Sequence, residues 1–277
     1  MYKLAPVCLI MALLVPTAAI ATHNSTHKST SQQVSVKPRY TPPPFPTSGT
    51  PVGRARGAAG RGGNCSLNLP LTALAPAVEK TVGAGKATYV WGQTIAEYPT
   101  FWFYLPAASP SLRAVEFVLQ DNRDNDIYRS AVALPAKPGI IGVRLPTTKP
   151  PLNLNQNYRW FLKTEMAVSC NRQNPIVFKD SVEGWVQRVS PTAAIARQIK
   201  TATPQQRVDL YAQQGLWYDA IATLAEQRLL QPENTALKAN WNGLLQSANL
   251  SDITPQPLLS CCSVGVGSRE SGVGNRE

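Results

Sequence analysis

The 277-residue chain reads as mixed β plus α, an antiparallel β-sandwich followed by a small helical domain. Three observations predict this. Between residues 64 and 190, short apolar runs alternate with turn signals at close spacing. Beyond Ser190 the apolar period becomes helical. In Tyr98 to Pro106, YPTFWFYLP, four successive aromatics lie between two prolines, an apolar density that belongs in a packed core.

At the N-terminus, Lys3 precedes an apolar run from Leu4 to Val15 and the small-x-small pattern Ala19-Ile20-Ala21. Residues 1–21 are therefore expected to be a secretory signal, with the mature chain starting near Thr22. The run is too short for a transmembrane helix, which needs about 20 apolar residues. The expected address is periplasmic or extracellular, with no transmembrane span. Residues 22–63 are rich in Ser, Thr and Pro and then in Arg and Gly, with TPPPFP at Thr41 to Pro46 and RARGAAGRGG at Arg54 to Gly63. Such a composition buries too little apolar surface to offset its ordering entropy, so a disordered linker is expected.

Residues 64–190 form the expected sandwich domain. Its strands are read at Thr88 to Gly92, Phe101 to Leu105, Ala114 to Gln120, Ile127 to Ala131, Ile140 to Leu145, Tyr158 to Glu165 and Glu183 to Val189. Seven strands in this length suggest an immunoglobulin-like sandwich. Val115, Phe117 and Leu119 share one face of the third strand, while Glu116 and Gln120 share the other, so that sheet has a wet side. The aromatic strand is different. Phe101 and Phe103 oppose Trp102 and Tyr104, so both of its faces need a cover. The helical domain is the expected second cover; otherwise Trp102 and Tyr104 form an exposed surface for stacking on sugars.

Residues 191–258 form the expected helical domain. Ser190-Pro191 reads as an N-cap with proline at the first helical position, and Thr203-Pro204-Gln205-Gln206 as a capping box. Helices are expected over Pro191 to Lys200, Pro204 to Gln214, Trp217 to Leu230 and Thr235 to Ser247. The spacing of Tyr211, Gly215, Trp217, Ala220, Leu224 and Pro232 resembles the second half of a tetratricopeptide unit, although Arg207 and Val208 depart from the first half. That resemblance implies a protein-binding hairpin, with Tyr211, Trp217, Tyr218 and Trp241 as candidate partner contacts. Residues 259–277 are read as a disordered repetitive tail, because VGSRESG at Val266 to Gly272 is followed by VGNRE.

Four cysteines follow the signal: Cys65, Cys170, Cys261 and Cys262. Cys65 and Cys170 bracket the aromatic-rich region, and an oxidising compartment favours a disulfide between them. No metal and no cofactor are expected, since there is no CxxC and both histidines, His23 and His27, precede the sandwich. The formal charge is +11, and residues 22–63 carry six Lys/Arg and no acid. An exported basic segment suits an anionic envelope polymer, through Arg54, Arg56 and Arg61, better than nucleic acid. Without histidine the folded part has no ordinary general base. It also lacks a G-x-S-x-G elbow and a Walker loop. Glu97, Glu116, Asp180 and Glu183, beside aromatics, are candidates for two-carboxylate hydrolysis, with surface charges at strand ends as the blander reading. The acidic turn Asp121 to Asp126 offers oxygen ligands, but it lacks the glycine and terminal glutamate of an EF-hand and reads as a solvated hairpin.

The order RGGNC, PTFWFYLP, EFVLQD, PL-x5-YRW, Cys170, VEGWVQRV and YAQQGLWYDAIATLAE resembles a secreted cyanobacterial family, domain of unknown function 928, over roughly residues 61 to 250. The resemblance implies a bacterial envelope location and brings no assigned activity or site residue. Three readings remain, in descending order: a non-catalytic envelope protein that binds a protein or peptide, a carbohydrate-binding module, and a carboxylate-dependent hydrolase.

Overall fold

The computed structural model describes residues 38–45, 51–58, 69–168 and 175–260. Among the described residues nine strands precede four helices: β1 (Thr72–Ala73), β2 (Ala77–Val82), β3 (Gly85–Thr94), β4 (Thr100–Leu105), β5 (Leu112–Gln120), β6 (Asp126–Ala131), β7 (Gly139–Arg144), β8 (Asn157–Val168), β9 (Ile176–Arg188), α1 (Ala193–Thr201), α2 (Pro204–Gln213), α3 (Trp217–Leu230) and α4 (Thr235–Ser247). All seven expected strands are present. A three-stranded sheet has the order β1-β4-β7, and a six-stranded sheet β2-β3-β9-β8-β5-β6. With β4, β5, β7, β8 and β9 taken as B, C, E, F and G, the first sheet is ABE and the second carries GFC, the immunoglobulin-like arrangement. The strand pairs are antiparallel except for β3 with β9, which run parallel from Trp91/Trp185 to Thr94/Arg188.

The predicted faces hold. Val115, Phe117 and Leu119 are buried, while Glu116 and Gln120 lie on the partly exposed outer side. Between the sheets the aromatic strand meets Phe117 and Trp160: the Phe101 and Phe117 rings are 5.1 Å apart, and Phe103 stands edge-on to Trp160 at 5.5 Å. Antibody-type domains join strands B and F through a disulfide. In this chain an aromatic contact between β4 and β8 spans the same gap. On the opposite face of β4 the Trp102 indole lies over Gly142 of β7, where an added Cβ would come within 3.0 Å of the ring. Helix α3 packs against both β3 and β4. From Phe101 to Leu105 both faces of β4 are buried.

Tyr158, at the start of β8, accepts a hydrogen bond at its hydroxyl from the Asn153 N–H at 3.0 Å. This position and this upstream backbone partner are those of the tyrosine corner of such sandwiches. Tyr158→Phe leaves the ring packed and strands one amide. It is expected to cost about 1 kcal/mol, read as a fall of about 2–4 °C in melting temperature; an unchanged melting temperature would show that the bond has no net effect.

Thr203 forms the expected capping box: its hydroxyl accepts from the Gln206 N–H at 3.3 Å, and its own N–H donates to Gln206 Oε1 at 2.8 Å. The α2–α3 turn is made by Gly215 at φ +75°, a conformation that suits glycine. The first helix starts later than expected. Thr192, not Ser190, is its cap, accepting from the Ile195 N–H, because the chain is still extended at Thr192.

The linker expectation fails for the described parts of 22–63. Residues 38–45 run against the helices, where Thr41 N–H donates to Ala212 O and Tyr40 is buried edge-on to Trp217. Residues 51–58 form a strap. β3 and β9 pair only beyond Trp91 and Trp185, and the strap fills the fork before that point. Gly53 N–H donates to Thr88 O, and Arg54 and Glu183 exchange both main-chain bonds. Ala55 and Gly57 then bond to Ala73 and Leu71, carrying the strap across to the three-stranded sheet. Composition does not reveal this, since main-chain pairing depends little on which side chains are present.

Candidate functional site

The aromatics expected to meet a partner are structural. Trp217, Trp241, Tyr218 and Tyr211 are all buried. Trp217 Nε1 donates to Leu74 O at 2.8 Å, Trp160 Nε1 donates to the Tyr218 hydroxyl at 2.8 Å, and that hydroxyl donates onward to Trp185 O at 3.1 Å. Trp217 and Tyr218 thereby dock α3 on the sandwich. Trp102 and Tyr104 are each 5% exposed, so neither offers a ring to a sugar. Cys65, Cys170, Cys261, Cys262 and Arg61 lie outside the described residues.

The four candidate carboxylates are engaged separately. Glu97 accepts from Arg188 at 2.8 Å, Glu116 from Arg129 at 2.6 Å and Glu183 from Arg159 at 2.7 Å. Asp180 accepts from the N–H groups of Ala58 and Ser181 at 3.0 and 2.9 Å. In the acidic turn, Asp121 accepts from the Arg123 and Asn125 N–H groups and the Asn125 amide, which hold its carboxyl below the usual range. Its oxygens close the hairpin from within. Among the described residues no cluster of His, Cys, Asp or Glu is placed to hold a metal.

One acid escaped the sequence reading. Asp219, in the first turn of α3, is buried and accepts from the Ile95 N–H at 3.0 Å, pinning the end of β3 to the helix. Burial pushes its carboxyl up to about 7, against the hydrogen bonds from Ile95, Thr94 and Ala96 that pull it down. The unfolded group titrates near ~3.9. Between these values the folded chain keeps a proton that the unfolded chain has lost, so stability falls as pH rises through this window and levels off above about 7. The carboxyls of Asp121, Asp126 and Asp252 are shifted downward and act at lower pH. The expected result is a lower melting temperature at pH 8 than at pH 5. Asp219→Asn should flatten that slope; an unchanged slope would assign it to other groups.

The outer face of the six-stranded sheet carries charged side chains beside half-buried rings. Alternation places Arg159, Phe161, Lys163 and Glu165 of β8 beside Trp185, Glu183, Ser181 and Lys179 of β9. The Arg159 guanidinium lies 4.8 Å from the Phe161 ring centre and 5.7 Å from that of Trp185. It thereby covers the two half-buried rings. Two clefts flank the strap. One, of about 570 Å³, lies between the strap, the β2–β3 hairpin and the end of α4. Arg56 lines it but is spent in a bidentate pair with Asp252 at 2.6 and 2.7 Å. The other, of about 400 Å³, lies on β5, β8 and β9 beneath Ala58, with Lys163, Lys179 and Asp180 in its lining. Arg54 stands on the ridge and borders both.

Residues 56–258 match the family described as Domain of Unknown Function (DUF928). The chain belongs to that family. The DUF928 region begins at Arg56, inside the strap, and ends at Leu258, which bridges to Ile140 of β7. It therefore takes in both sheets and all four helices. Arg54 and the fork-filling residues before it precede the match. No curated protein matches the chain.

Proposed function

We propose that this DUF928 protein is an exported, non-catalytic binding module that presents the outer face of its six-stranded sheet to an envelope partner. The observation that carries the reading is the division between spent and unspent groups. The carboxylates that could serve catalysis are paired with Arg188, Arg129 and Arg159 or hydrogen-bonded by amides, and the helical aromatics are consumed in the core. Arg54, Lys163 and Lys179 remain exposed on one face without an ion pair to any described residue. Export rests on the N-terminal pattern of Lys3, the apolar run and Ala19-Ile20-Ala21. No helix among the described residues is long and apolar enough to cross a membrane.

The test is site-specific photo-crosslinking in exporting cells. A photoreactive side chain at Lys163 should give a discrete adduct. The same group at Leu230, 81% exposed on α3, should give none. Adducts from position 230 alone, or none from position 163, would refute the choice of face.

A further inference from the structure

We infer that the free edge of β2 takes up an extended segment of another protein as an added strand of the six-stranded sheet. The edge is separate from the face around Lys163, so either surface can fail its test without the other. β2 is the terminal strand on one side of that sheet. In β3, Thr88 O and Val90 N–H are bonded to the strap, so Ala87 and Tyr89 turn their main-chain groups toward β2, opposite Lys80 and Val78. The main-chain groups of Ala77, Glu79 and Thr81 therefore point outward, and none is bonded to a described residue. A peptide adds to a sheet through such an edge. Edge strands are ordinarily guarded by a proline, a bulge or a lysine. β2 contains no proline and pairs with β3 without a register shift. Its lysine is drawn back over β3: Lys80 Nζ lies 3.7 Å from the centre of the Phe45 ring, which stacks on Tyr89, and 5.5 Å from that of Tyr89 itself.

The side chains along the edge define the occupant. Val78 and Val82 lie on one face of β2, 39% and 54% exposed, with Val52 of the strap on the same face across β3. A residue set opposite either valine is apolar, because the pair then covers surface that now faces water. Lys80, between the valines on that face, calls for a carboxylate opposite. On the other face Glu79 has one ion pair among the described residues, with Lys86 at 3.6 Å and both side chains exposed, and it calls for a cation opposite. Ala77 and Glu79 also line the cleft of about 570 Å³, so inward side chains of an added strand meet open space there. The arginines of that cleft belong to the strap, two strand spacings of ~4.8 Å inward from β2. A second copy of the chain does not match this edge. In antiparallel two-fold pairing, the register that sets Val78 of one copy against Val82 of the other also sets Lys80 against Lys80. Sliding by two residues puts a valine opposite Lys80 in either direction, and in one of them brings Glu79 against Glu79.

The experiment titrates the isotope-labelled full mature chain with the peptide Val-Thr-Glu-Lys-Val-Thr and follows its backbone amides by nuclear magnetic resonance. In antiparallel register the peptide sets its valines against Val82 and Val78, its glutamate against Lys80 and its lysine against Glu79. The control, Val-Thr-Lys-Glu-Val-Thr, has the same net charge with the two charged residues exchanged. The first peptide should shift the amides of Ala77, Glu79 and Thr81 and slow their hydrogen exchange, and the control should bind about tenfold more weakly, since both cross-strand pairs become like-charged. Thr81→Pro removes an outward N–H and no bond to β3, and it should abolish binding. If its melting temperature shows a folding defect, Val78→Ser with Val82→Ser decides, because that variant keeps the main chain and should weaken binding about tenfold. Leu230→Ser, on α3, should change nothing. Equal binding of the two peptides, shifts confined to residues away from β2, or full binding by a folded β2 variant would overturn the inference. So would a concentration-dependent dimer whose Ala77, Glu79 and Thr81 amides are protected without peptide, because the edge then belongs to a second copy. A photo-adduct at position 163 with no peptide bound would remove the edge and leave the face.

Discussion

Gly184→Ala is expected to unfold the chain several degrees early, and Gly184→Val to leave little folded protein at 25 °C. Gly184 of β9 pairs across the ladder with Trp160, and an added Cβ would run into the Trp160 ring and come within 2.5 Å of Val90 Cγ1. Ordinary overpacking costs about 1–3 kcal/mol because neighbours shift. Trp160 has little freedom to do so. Its Nε1 is bonded to the Tyr218 hydroxyl, and Phe101 and Phe103 press on its ring. A valine therefore asks for a large part of a domain's typical ~5–15 kcal/mol. Circular dichroism melts of the two variants decide it, and an alanine variant melting within 2 °C of the parent would mean that the indole moves freely.

Trp217→Ala is expected to cost about 3–5 kcal/mol, the range for deleting a buried indole, or about 6–20 °C of melting temperature. Trp217 is fully buried where four segments meet: its Nε1 reaches Leu74 O, Tyr40 stands edge-on at 5.0 Å, and its Cβ lies close to Gly92 of β3. Trp217→Phe keeps most of the volume and drops only the hydrogen bond, so its loss should be about 1 kcal/mol. The melt should remain a single transition, because Tyr218 and Asp219 still join α3 to the sandwich. Two separate transitions in the alanine variant would show that the helices and the sandwich unfold independently.

Strands were legible where alternation was strong. Val115, Phe117 and Leu119 announce an inner face, and proline at positions 99 and 106 brackets β4. The capping box at Thr203 and the turn at Gly215 were equally plain, because cap and turn chemistry are local. β2 was missed. Its sequence AVEKTV is exposed on both faces and is held by its hairpin partner, so no apolar period marks it. The strap was missed for a related reason, as Gly, Arg and Ala gain their order from main-chain bonds to strands distant in sequence.

The site was less legible still. The pattern Tyr211, Trp217, Tyr218 and Trp241 identifies an aromatic face on the helices, but periodicity states only which residues share a face, not what covers it. The same gap hid the fate of the arginines. Arg54 and Arg56 are two residues apart in one basic segment, yet one stands exposed on a ridge and the other is locked to Asp252. That difference arises from a residue nearly 200 positions away.

From the sequence alone came seven of the strands and the four helices in order, the basic excess, the lack of histidine in the folded part and the need for two covers on the aromatic strand. Those properties depend on local pattern and composition. Tertiary structure alone decided that α3 packs on β4, that the strap completes the fork between β3 and β9, and which charges face solvent unspent. Each of these depends on contacts between segments far apart in the chain, whose net value is set by burial and partner geometry rather than by any residue's own preference.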